Sequence, residues 1–80
     1  MNAAEAQEVK SLLIQSNDQY RQLSERHHQL DDRLHQLSDR HFLSTSEQLE
    51  EVTLKKRKLA LKDQMEQMAL EYAKVHIRAS

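Results

Sequence analysis

The chain has 80 residues, with 12 Lys plus Arg against 13 Asp plus Glu and a net charge of −1. It contains no Gly, Pro or Cys and only three aromatic residues, Tyr20, Phe42 and Tyr72. That excludes disulfides and thiolate chemistry, offers no general attraction to nucleic acid or anionic lipid, and bounds the chain to one small domain that cannot enclose a deep core. No apolar run exceeds three residues, as in Leu12-Leu13-Ile14, which is too short for a signal sequence or a membrane span, so a soluble cytoplasmic chain without membrane insertion is expected.

The first half carries one continuous stripe. Ala6, Val9, Leu13, Ser16, Tyr20, Leu23, His27, Leu30, Leu34, Leu37 and His41 alternate spacings of three and four. That is the coiled-coil period, and it favours helix over strand. Asn17-Asp18 interrupts the composition, with Asn17 suited to cap a helix that has Tyr20 in its first turn. The spacing predicts a short helical arm over about residues 4–15, then a kink or direct continuation into helix 1 over 18–42. Arg40 and His41 place positive charge at its negative end.

Ser44-Thr45-Ser46-Glu47-Gln48 reads as the next helix start, because Ser44 with Glu47, or Thr45 with Gln48, has capping-box spacing. Helix 2 is expected over 46–76, acidic at its start and basic at its end. It carries two stripes. Leu54, Leu61, Met65, Met68, Tyr72 and Val75 form the main one. Val52, Leu59, Leu70 and Ile77 lie on roughly the opposite side at ~100° per residue. The expected fold is therefore all-α, an antiparallel two-helix hairpin of coiled-coil type preceded by the arm. One stripe faces helix 1. The other stays open, and joins two hairpins, or a hairpin and another helical protein, into a helical bundle.

With the turn centred near Ser44-Thr45, facing residues have numbers that sum to about 89. Leu37 then meets Val52, Leu30 meets Leu59, Leu23 meets Met65, Tyr20 meets Met68 and Leu13 meets Val75. His27 falls opposite Leu61 to Asp63, and Asp31 opposite Lys58. A cross-hairpin polar cluster of His27, Asp31, Lys58 and Asp63 is expected, setting register as polar seam residues do in coiled coils.

Two motifs stand together in this frame. The first is Tyr20-x-x-Leu23-x-Glu25-x-His27-x-x-Leu30-Asp31-x-x-Leu34. The second is Leu54-Lys55-Lys56-x-Lys58-Leu59-x-Leu61-Lys62-Asp63. Over roughly residues 9–70 the chain resembles the YdcH-like family of short bacterial proteins of unknown function. The resemblance implies an antiparallel helical hairpin and no particular activity. Family members often carry Pro after the Asn that matches Asn17, where this chain has Asp18.

Chemistry has few candidates. His28, Asp32 and His35 share a helix face at spacings that could bridge a metal ion, but on the side away from the seam, where ordinary surface side chains are the expectation. Ser44, Thr45 and Ser46 are accounted for by capping. Without a Gly-rich loop, a Cys nucleophile or a deep pocket, neither catalysis, a cofactor nor a small-molecule substrate is expected. Lys55, Lys56 and Arg57, with Lys58, form the only basic run, and Arg26, Arg33 and Arg40 add a line on helix 1. They supply the alternative of a nucleic-acid-associated factor. Consecutive residues on a helix turn to different sides, however, and no aromatic side chains interleave for stacking on bases.

Overall fold

The computed structural model describes residues 2–76. Three helices follow one another, α1 (Ala3–Ser16), α2 (Asp18–Ser38) and α3 (Thr45–His76), and there is no strand among the described residues. Laid end to end they would span about 100 Å at ~1.5 Å per residue. The molecule measures 53 × 24 × 16 Å. Its length is close to that of α3 alone, so α1 and α2 lie alongside α3, and each of the three helices contacts the other two.

Asn17 separates α1 from α2. Its extended backbone (φ −128°, ψ 112°) breaks the helix, while its side chain accepts a hydrogen bond from the Tyr20 amide at 2.9 Å and starts α2. The apolar stripe is therefore shared by two helices. It also slips at Ser16, which is exposed and returns its hydroxyl to the Leu12 carbonyl at 2.7 Å. Arg21 closes over the break, donating from Nε to the Ile14 carbonyl at 3.0 Å.

The main helix of the first half ends at Ser38, four residues before the expected limit. Ser38 donates its hydroxyl to the His35 carbonyl at 3.1 Å, a local bond that competes with helix continuation, and Asp39 caps the end. Arg40 and His41 consequently lie outside the helix. His41 is exposed rather than in the seam, and Phe42 is 91% exposed. Ser44 and Glu47 then form a reciprocal capping box. The Glu47 amide bonds to Ser44 Oγ at 3.2 Å, and the Ser44 amide bonds to Glu47 Oε1 at 3.1 Å.

The buried apolar set is small: Val9, Leu13, Tyr20, Leu23, Leu37, Leu54, Ala69 and Ala73. Val9, Leu13 and Tyr20 meet Ala69 and Ala73 in one cluster, with Met65, Met68 and Tyr72 packed around it. Val75 does not take the place opposite Leu13, and is 68% exposed. The two alanines occupy that region because their short side chains let α1 approach α3 closely, which a stripe of large residues would prevent. Val52 likewise stays half exposed, although Leu37 is fully buried.

Candidate functional site

Three carboxylate–cation pairs join α2 and the turn to α3. Asp31 accepts from Lys58 Nζ. Arg33 donates from Nε to Glu50 Oε2 at 2.8 Å and from Nη2 to Glu50 Oε1 at 2.9 Å. Arg40 donates from Nη1 to Glu47. Residue numbers rise on the first side of these pairs as they fall on α3. The Lys58 hydrogen bond, opposed by partial desolvation, holds the Asp31 carboxyl below its usual range, and the charges of Lys58, His35 and His27 add to the effect. Glu50 is lowered chiefly by its bonds from Arg33. Glu47 is lowered chiefly by the Ser44 amide, then by the Ser44 side chain and by Arg40 and Arg33.

The expected four-residue polar cluster is only partly assembled. Asp31 and Lys58 are joined. His27 is half-buried in a groove with Lys10, Tyr20, Lys62, Met65 and Glu66. Asp63 is exposed, and no hydrogen bond or ion pair links it to His27 among the described residues. The reason is rotational. Asp63 follows Leu61 by two residues, which at ~100° each turns it to nearly the far side of α3. The sum rule places residues along the axis and ignores that rotation.

The Arg33–Glu50 and Arg40–Glu47 pairs were not foreseen. Their sums, 83 and 87, lie close to the expected one, so a search for opposite charges across the turn would have found them. They also bear on the basic surface. Arg33, Arg40 and Lys58 are each held by a carboxylate, and Lys55 Nζ lies 3.5 Å from Glu51 Oε1. Lys56 and Arg57 are exposed. The line of arginines is thus largely neutralised locally.

The histidine face is similarly occupied. His28 Nε2 lies 3.7 Å from Asp32 Oδ2, while His35 turns Nδ1 to the Asp31 carbonyl at 2.9 Å. Among the described residues no group of three His, Cys, Asp or Glu side chains is arranged to hold a metal ion.

The outer side of α3 is the remaining feature. Val52 is 51% exposed, Leu59 59% and Leu70 48%, whereas Ile77 lies outside the described residues. Leu49, 66% exposed and three residues before Val52, extends this apolar side toward the turn, a neighbour that the two-stripe reading did not include. Leu59 also lines the groove that holds Asp31, Leu34, His35 and Lys58. No helix among the described residues is long and apolar enough to cross a membrane.

No curated protein and no solved structure matches the chain. A family model matches residues 21–69, the stretch that holds the second sequence motif, the first from Leu23 onward, all three ion pairs to α3, and Val52 and Leu59 of the exposed stripe. The chain belongs to that family, described as a protein of unknown function (DUF465) and consistent with the YdcH-like resemblance of its motifs.

Proposed function

We propose that the protein is a non-enzymatic interaction module, an antiparallel helical hairpin with α1 as its arm, which acts by self-association into a helical bundle. The observation that carries this reading is the row Val52, Leu59 and Leu70, each about half exposed on the outer side of α3. Among the described residues, eight buried apolar side chains make a small core, and small folds without disulfides or metals commonly gain stability from association. Burying that row in a second hairpin removes apolar surface from water at about 25 cal/mol per Å². The same leucines would serve a different helical partner, and a cytoplasmic setting belongs to the proposal. The hydroxyl of Ser44 is engaged by capping.

Gel filtration with light scattering tests the reading. The wild-type chain of 9.5 kDa is expected to run at twice that mass at micromolar concentration. Leu59→Asp is expected to return it to the monomer mass with its helical signal retained. A wild-type monomer throughout that range contradicts self-association.

A further inference from the structure

The charges around the exposed row of α3 specify how a second copy would lie on it. At ~100° per residue, Val52, Leu59 and Leu70 fall within about 20° of a single line. Lys56 and Asp63 flank that line on one side. Lys55 and Glu66 flank it on the other. All four are exposed. Lys56, Asp63 and Glu66 have no hydrogen bond or ion pair among the described residues, and Lys55 has only its 3.5 Å approach to Glu51.

When two identical helices pack face to face in opposite directions, residues on a given flank meet partner residues of that same flank. In a parallel in-register pair opposite flanks meet, setting Lys56 beside Lys55 of the partner subunit and Asp63 near Glu66 of the partner subunit, like charge against like, which is unfavourable. The antiparallel pair brings opposite charges together on both flanks in one register. With residue numbers summing to about 120, Lys56 faces Asp63 of the partner subunit, and Lys55 faces Glu66 of the partner subunit. Each pair is within ~1.5 Å of level along the axis. The same register sets Val52 within ~3 Å of level with Leu70 of the partner subunit, and brings the two Leu59 side chains together at the centre.

We infer that two copies dock α3 against α3 in antiparallel orientation, about a twofold axis near Ala60, with Val52 on the partner's Leu70 and with Lys55 and Lys56 paired to the partner's Glu66 and Asp63. This arrangement rests on the self-association proposed above. The basic run is then a register device: the two lysines that follow Val52 select the antiparallel partner, while Lys58 is held by Asp31 within its own chain.

The chain has no cysteine, so single introduced cysteines report one position each. Val52→Cys and Leu70→Cys variants are mixed in their dissociated state, allowed to reassociate, and oxidised. The mixture is expected to form a disulfide-linked Val52→Cys/Leu70→Cys dimer. Val52→Cys alone is expected not to link, because its two copies would be about 24 Å apart along the axis. In parallel, Lys56→Glu is expected to raise the dimer dissociation constant at least about fivefold, since two symmetric attractions become repulsions, and Lys56→Glu with Asp63→Lys to restore it. Circular dichroism confirms that each variant remains helical. Linkage of Val52→Cys to itself overturns the antiparallel docking. A dimer by light scattering that gives no mixed link, or no rescue by the charge exchange, overturns this register and leaves self-association standing. A wild-type monomer overturns both.

Discussion

Arg33 grips Glu50 with two parallel hydrogen bonds, 2.8 and 2.9 Å long, and thereby ties the C-terminal third of α2 to the first turns of α3 across 17 residues of sequence. Planar guanidinium and carboxylate groups match in this way, and an ammonium cannot reproduce the match. Both side chains are more than a third exposed, so solvent screens the pair. Arg33→Lys is expected to lower the melting temperature by about 1–4 °C at low salt, with the difference shrinking at high salt. A double-mutant cycle with Glu50→Gln, read by thermal melts at fixed protein concentration, checks that the loss belongs to the pair.

Acid is expected to loosen the contact between α2 and α3. Asp31, Glu47 and Glu50 all have carboxyl groups lowered by native partners. A group lowered in the folded state contributes stability above its unfolded pKa and loses it as pH falls through the folded value. Stability should therefore drop progressively below about pH 4.5, where the unfolded carboxyls begin to take up protons first. Urea titrations from pH 7 to pH 3 measure this. Asp31→Asn should be less stable than wild type at pH 7 and show a shallower acid decline.

The two caps make separate contributions. Asn17→Ala removes the acceptor for the Tyr20 amide, and Ser44→Ala removes half of the reciprocal cap with Glu47. Each is expected to cost about 1 kcal/mol. Chemical denaturation measures the loss, and replacement by Asp should recover most of it at either position.

Packing predictions distinguish the two ends. Leu37 is fully buried near the turn, and Leu37→Ala is expected to cost about 2–5 kcal/mol. Ala73 is 7% exposed where α1 approaches α3, so Ala73→Leu should cost about 1–3 kcal/mol by forcing the helices apart. Hydrogen exchange should show the second variant loosening α1 in preference to the α2 segment around Leu37.

The local signals were legible because they depend on neighbours in sequence. Asn17 as a cap, Ser44 with Glu47 as a capping box, and the all-helical character follow from spacing and side-chain chemistry. The exposure of Val52, Leu59 and Leu70 follows from their angle to the main stripe. What depended on the third dimension was less accessible. The stripe through Ser16 and His41 runs across positions where the backbone breaks, since periodicity does not register a cap at Asn17 or Asp39. Val75 lost its place to Ala69 and Ala73 because α1 packs by close approach, and alanine carries little weight in a hydrophobic pattern. His27 and Asp63 were brought level along the helices without regard to rotation, which carries Asp63 outward.

The account depends most on the fold-back of α2 along α3. Arg26 and Gln64 are exposed residues that line one groove between these helices. Spin labels on Arg26→Cys/Gln64→Cys, diluted with unlabelled protein so that only one molecule's pair is read, measure the separation directly. Helix axes about 8–10 Å apart predict a distance of about 20 Å or less between labels. A separation near 57 Å, that of 38 residues on a continuous helix at ~1.5 Å each, would contradict it.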